Sequence, residues 1–278
     1  MLKQRVITAL VLLAMLLPVL FAPVAWPFAV LTLVFIGAAG WEWARLNGAV
    51  AGVAVALGLL LSAACALALW AGWSEHAPSL VWWVATLVWV LGGALALKVG
   101  PSGWPRLSKT LRWALGLIAL WTAWLALANA KVTGINFILS VFCLVWAADI
   151  AAYFGGRTFG KRKLAPAISP GKSWEGVWSG MLGVLVLSAA WVALDHSFAV
   201  DSKSLYSRLQ ERHGSVGLAG VVVFLAAMSV VGDLVESLVK RAAGAKDSSA
   251  LLPGHGGVLD RIDALLPVFP LALAMSSI

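Results

Sequence analysis

Residues 215–263 read S-V-G-L-A-G-V-V-V-F-L-A-A-M-S-V-V-G-D-L-V-E-S-L-V-K-R-A-A-G-A-K-D-S-S-A-L-L-P-G-H-G-G-V-L-D-R-I-D. The run from 215 to 238 is apolar over about the length that one membrane crossing requires. Its far end changes abruptly. Between Gly232 and Asp263 lie five of the twelve acidic residues of the chain and four of its twenty Lys and Arg. Unpaired charge in or beside lipid is costly, so an apolar chain that gathers carboxylates and cations at one place marks that place as a candidate for chemistry.

Outward from this stretch, the same composition continues. The 278 residues are 62% hydrophobic and 12% charged, and sixteen are Trp. A soluble domain of this makeup exposes apolar patches large enough to aggregate. The pattern predicts an all-α, polytopic integral membrane protein with about nine transmembrane helices, at 6–21, 24–40, 50–72, 79–97, 112–128, 134–152, 176–194, 215–238 and 262–277. Pro23 separates the first two, which fit either a tight hairpin or one broken span. The start M-L-K-Q-R resembles a signal peptide, but apolar sequence runs on past Ala25, so a retained anchor is expected. Cys65 and Cys143 sit inside apolar runs and read as packing residues, with no metal or disulfide spacing.

The formal charge is +8, and its distribution points to membrane orientation rather than to nucleic acid. With nine spans and the N-terminus inside, the inner segments are 1–5, 41–49, 98–112, 153–175 and 239–261. Only Lys131, Lys203, Arg208 and Arg212 of the twenty cations then fall outside. That asymmetry obeys the positive-inside rule and puts the two loops richest in motifs, 153–175 and 239–261, in the cytoplasm.

Residues 1–130 read as scaffold helices and 131–278 as a catalytic region. In the first half, Glu42 of W-E-W-A-R is spaced to pair with Arg45, a structural role. The Trp residues are spread over both interfaces and interiors, with interfacial anchoring their expected main role. Gly48 with Gly52, and Gly176 with Gly180, have the small-residue spacing that lets helices approach closely. In the second half, Asp149 near the end of a span needs a metal or a partner such as Arg157 or Lys161. The loop Gly155–Gly176 mixes glycines, cations and hydroxyls, a composition suited to phosphate or to anionic headgroups. Its P-G-K-S at 170–173 is not a P-loop, because Pro166 stands where that motif requires Gly.

Asp233, Glu236 and Lys240 share one helix face, and Asp260 and Asp263 repeat the i, i+3 spacing at the entry to the last span. Converging carboxylates repel unless a cation separates them, and hard oxygen donors favour Mg²⁺ that also touches substrate phosphate. One or two such ions suit a phosphoryl displacement. A salt-bridge network with Lys240, Arg241 and Arg261 is the structural alternative. His255, in the Gly-rich turn with Gly254, Gly256 and Gly257, suits backbone shaping or phosphate contact better than general base duty, because a phosphate monoester is already an anion near neutral pH.

Ser237, Lys240-Arg241, Lys246-Asp247, Pro253, His255-Gly256-Gly257 and Asp260-Arg261-Ile262-Asp263 together resemble the signature of the phosphatidate cytidylyltransferase (CDP-diacylglycerol synthase) family, without departure. The likeness extends through W-E-W-A-R, Asp149 and Ser169-Pro-Gly-Lys-Ser-Trp-Glu-Gly to most of the chain, in the manner of bacterial inner-membrane members. This resemblance implies CMP transfer from CTP to phosphatidic acid with Mg²⁺, one cation or two, in a homodimer among membrane lipids, with the site facing the cytoplasm. It further implies metal ligation by Asp233, Asp260 and Asp263, with Asp149 and Glu236 as further candidates. Lys240, Arg241, Lys246 and Arg261 are expected to neutralise phosphates. Ser169, Lys172 and Ser173 are expected to close over nucleotide or headgroup, with Ser237, Asp247, His255, Gly256 and Gly257 as further substrate contacts.

Two other classes fit less well. CDP-alcohol phosphotransferases carry Asp-Gly-x-x-Ala-Arg with two further spaced Asp, an order missing here. A transporter with Asp149, Asp233 and Glu236 as coupling carboxylates is expected to show repeated halves and midplane broken helices, whereas this chain has a plain first half and acidic residues at span ends.

Overall fold

The computed structural model describes residues 2–277, about four-fifths of them helical. The helices are α1 (Leu2–Leu20), α2 (Trp26–Leu46), α3 (Ala51–Trp70), α4 (Trp73–His76), α5 (Ser79–Leu87), α6 (Gly93–Gly103), α7 (Lys109–Thr133), α8 (Ile135–Phe159), α9 (Trp174–Ser197), α10 (Leu205–Ala242), α11 (Leu259–Ile262) and α12 (Leu265–Ser277). A π-helical turn at Val88–Gly92 joins α5 to α6. Among the described residues, seven helices are long and apolar enough to cross a membrane, with Ser79–Arg106 counted as one. The protein is an all-α, multi-pass membrane protein. All nine apolar segments form helix, but α12 has only 13 residues and the apolar part of α1 is Gln4–Leu20, so the count of nine is not established. Pro23 separates two helices rather than breaking one.

The five segments assigned inside by charge lie together at one end of the bundle. Asn47 Oδ1 accepts from Trp104 Nε1 at 2.8 Å and from Arg112, joining 41–49 to 98–112. Glu42 accepts from Val258 and Leu259, joining 41–49 to 239–261. Arg241 donates to the Ile168 carbonyl, and Arg5 and Thr8 donate to the carbonyls of Gly254 and Pro253. At the other end, Lys131 donates to the Ala22 carbonyl and Asn129 to that of Ser74. Asp201 caps α8 by accepting from Ile135 and Asn136. Hydrogen bonding thus sorts the connections as the cations did.

Three expectations change. Glu42 does not pair with Arg45, whose guanidinium lies 4.6 Å from the centre of the Trp41 ring. Trp43, Trp82, Trp89, Trp104 and Trp124 are core residues rather than interfacial anchors. Three of these donate indole N–H groups inside the protein, Trp43 to the Arg112 carbonyl, Trp104 to Asn47 and Trp124 to Thr32. The loop 153–175 also contains the two β-strands found among the described residues, β1 (Lys163–Ala165) and β2 (Ser169–Ser173), paired antiparallel. Of the glycine pairs, Gly176 and Gly180 do serve close approach. A Cβ on either comes within 2.9 Å of an α8 carbonyl, so α9 lies directly on α8. Gly52 has open space around it. Both cysteines are free.

Candidate active site

Four elements converge at the basic end. α8 carries Asp149, Tyr153 and Arg157, the hairpin carries Ser169 and Lys172, α10 carries Asp233, and the turn from α11 to α12 carries Asp263. α10 can press against that turn because residue 232 is glycine. A Cβ there would stand 2.5 Å from the Asp263 carbonyl oxygen. Gly232 therefore places Asp233 beside Asp263.

A polar cavity of about 470 Å³ opens here, lined by Asp149, Tyr153, Arg157, Ser169, Lys172 and Asp233 among others. Its volume lies within the usual range for small-molecule sites. Lys172 Nζ contacts Asp233 Oδ2 at 2.5 Å, and Ser237 Oγ donates to Asp233 Oδ1 at 3.3 Å. The Lys172 charge also acts on Asp149 and Asp263, and each of these carboxylates feels the charge of Asp233. Asp149 has no hydrogen bond or ion pair among the described residues, with Arg157 donating to the Tyr153 hydroxyl instead. One ammonium thus pairs with Asp233 and acts through its charge on two further carboxylates.

Glu236 and Asp260 form a second group around Lys240. Its ammonium lies 2.6 Å from Glu236 Oε2 and 2.6 Å from Asp260 Oδ1, and all three side chains are nearly buried. Asp260 Oδ2 accepts from the N–H and hydroxyl of Ser248 and from the N–H of Gly257. Burial acts to raise the Asp260 carboxyl, but the Lys240 ammonium and these donors outweigh it and hold the group at about 2. Beneath lies Glu42, fully buried, which accepts from the hydroxyls of Ser248 and Ser249 and from the N–H groups of Val258 and Leu259. Glu42 was absent from the residues expected at the site. Its one sequence signal is a carboxylate flanked by Trp in an apolar helix.

The remaining expected residues are dispersed. Ser173 caps α9 by accepting from the Gly176 N–H, and it too lines the polar cavity. Arg241 ties α10 to the hairpin through the Ile168 carbonyl. Lys246 and Asp247 are exposed. His255 Nδ1 is buried and has no hydrogen-bond partner among the described residues. Gly256 and Gly257 shape the turn, the first bridging to Leu252 and the second donating to Asp260. Arg261 does not line the polar cavity. It lines an apolar one beside it.

Among the described residues, no three His, Cys, Asp or Glu side chains already form a metal cage. The donors nevertheless suit Mg²⁺, which usually takes one or two carboxylates and completes its shell with phosphate and water oxygens. Asp149 and one oxygen of Asp263 have no hydrogen bonds among the described residues, whereas those of Asp260 are fully engaged.

The model of the Cytidylyltransferase family matches residues 3–278. The chain is 42% identical to the phosphatidate cytidylyltransferase of Pseudomonas aeruginosa, covering 99% of this chain and 97% of that protein. It is 38% identical to the one from Haemophilus influenzae over 97% and 96% of the two lengths. A third, from Brucella melitensis, is 45% identical over 133 residues, about half of each protein.

Proposed function

The chain belongs to the cytidylyltransferase family, and from that premise we propose that it joins CTP to phosphatidic acid, releasing pyrophosphate and forming CDP-diacylglycerol. The observation that carries this is the polar cavity at the basic end, where Lys172 pairs with Asp233 and Asp149 lines the same wall. An oxygen of the lipid phosphate attacks the α-phosphorus of CTP. That P–O bond forms as the bond to the β-phosphate oxygen breaks, and pyrophosphate leaves in line.

Such chemistry depends on positioning and charge neutralisation. Lys172 and Arg157 neutralise phosphate oxygens in the cavity, and Ser169 donates to them. The N-terminus of α9, which opens onto the same cavity, adds the positive end of a 24-residue helix. Asp149, Asp233 and Asp263 would hold Mg²⁺, which when bound would neutralise the charge building on the phosphates. Lys240, bridging Glu236 and Asp260, fixes α10 against the turn that presents Asp263. Asp260 and Glu236 thereby act as positioning residues, in place of the ligand role their spacing suggested. Phosphatidic acid enters from the bilayer and CTP from the cytoplasm, so the basic end faces inward. An inner-membrane homodimer completes this assignment.

The test is pyrophosphate release from CTP by detergent-purified protein, with and without phosphatidic acid and Mg²⁺. Release that needs both, with CDP-diacylglycerol formed, is the expected result. A folded protein inactive with phosphatidic acid but active on another phosphorylated acceptor sinks the assignment of the lipid.

A further inference from the structure

A second cavity, of about 260 Å³, lies beside the polar one. Its walls come from α1, α2, α7, α8, α12 and the turn at 252–262. Helix α8 borders both cavities. Phe142 and Trp146 face the apolar one, while Asp149 and Tyr153, about a turn further on, face the polar one. The turn carrying Arg261 borders the apolar cavity, and its Asp263 backbone packs against Gly232, the neighbour of Asp233 in the polar one.

The lining is hydrocarbon and aromatic apart from two residues, Thr32 and Arg261. Thr32 offers nothing to a ligand, because its hydroxyl donates to the backbone of α2 and accepts from Trp124. Arg261 differs. It is exposed, and its guanidinium makes no hydrogen bond or ion pair among the described residues. An apolar chamber that ends in one unengaged cation matches an amphiphile with an anionic head. The wall formed by α1 is fastened to the same turn, by Arg5 to the Gly254 carbonyl at 3.0 Å and by Thr8 to that of Pro253 at 2.8 Å.

We propose that this cavity seats an acyl chain of the acceptor lipid, with Arg261 holding the lipid phosphate at the boundary between the apolar and polar cavities. The proposal rests on phosphatidic acid being the acceptor. Arg261 thus belongs to the lipid rather than to the nucleotide, and it sets the depth to which the headgroup sinks toward Asp263. Arginine suits this place because its fork binds phosphate through paired hydrogen bonds.

Photo-crosslinking tests the seat without requiring turnover. Phosphatidic acid with a diazirine near the end of one acyl chain is illuminated with the unaltered protein in phosphatidylcholine nanodiscs. Adducts are expected on Phe35, Phe142 or Phe269. Excess unlabelled phosphatidic acid should suppress them at least tenfold more effectively than phosphatidylcholine, and Arg261→Met should erase that advantage. Equal suppression by both lipids, or adducts confined to outward-facing residues, overturns the proposal, as does an inaccessible cavity filled by a second copy of the chain.

A second measurement uses Ala123→Phe, which narrows the cavity from α7. The ratio of kcat/KM for dipalmitoyl over dihexanoyl phosphatidic acid should fall at least tenfold, and an unchanged ratio overturns the seat. Adducts at these three aromatics in a protein that converts neither lipid would sink the catalytic assignment alone. Turnover of both lipids with adducts elsewhere would sink the seat alone.

Discussion

Glu42 accepts the backbone N–H of Leu259 at 2.7 Å across 217 residues of sequence. Leu259 opens α11, so the carboxylate caps that short helix while also holding Val258 and the two serines of the preceding loop. Every partner is a donor to a buried anion. The acidic turn is thereby anchored to α2, in the half of the chain expected to be scaffold alone.

Glu42→Gln replaces one acceptor oxygen with an NH₂ that faces donors. Each buried donor left unpaired costs about 1–3 kcal/mol. The thermal midpoint in detergent should drop, and kcat/KM should fall roughly tenfold with little change in Mg²⁺ requirement. Glu42→Ala should do worse on both counts. A Glu42→Gln protein with wild-type melting would show that the loop is held by other contacts.

Asp260 and Asp263 stand three residues apart and should fail differently. Asp263→Asn is expected to abolish turnover with folding and membrane insertion intact, because its proposed role is to hold Mg²⁺ and one of its oxygens makes no hydrogen bond among the described residues. Asp260→Asn removes the charge of one of the two carboxyl groups bracketing the buried Lys240 ammonium, and breaking a buried pair costs about 3–5 kcal/mol. Melting curves alongside turnover separate the cases. Near-normal activity in Asp263→Asn would make that residue structural, and unaltered melting in Asp260→Asn would refute its positioning role.

The same engagement predicts a pH dependence. Asp260 titrates at about 2 in the folded protein, below the roughly 3.9 of a free Asp side chain. A depressed carboxyl stabilises the fold above its unfolded value and loses that contribution as pH falls through the folded value. The stability gap between wild type and Asp260→Asn should be full at pH 5 and shrink steadily towards pH 2. A gap constant over that range would mean that the Asp260 charge contributes nothing to folding.

The sequence made legible what local pattern dictates. Apolar runs located the helices, and the placement of Lys and Arg sorted their connections into two ends, the basic one knit together by the hydrogen bonds of Asn47, Glu42 and Arg241. Dense motifs located the acidic turn. Partner choice was not legible, since it depends on packing between distant segments. The i, i+3 spacing treats Asp260 and Asp263 alike, yet Gly232 draws the Asp263 backbone onto α10 while Lys240 and Ser248 claim Asp260. Likewise W-E-W-A-R offers Arg45 as the near partner of Glu42. A loop more than 200 residues away wins because it brings several donors to one carboxylate, whereas Arg45 finds the Trp41 ring.

Lys172 and a divalent cation should compete for the same carboxylates. In the metal-free protein its ammonium neutralises Asp233 and acts on Asp149 and Asp263. On the proposed assignment, Mg²⁺ held by these carboxylates would take over that neutralisation, and Lys172 would be free to meet a phosphate. In Lys172→Met the carboxylates are left to repel each other, which raises their appetite for an added cation. Mg²⁺ should therefore stabilise the variant against heat at a several-fold lower concentration than it does wild type, while turnover falls at least a hundredfold. Lys172→Arg should restore part of the turnover and move the Mg²⁺ midpoint back toward wild type. If Lys172→Met loses activity with its Mg²⁺ midpoint unmoved, the lysine serves the substrate alone and the three carboxylates are not its shared partners.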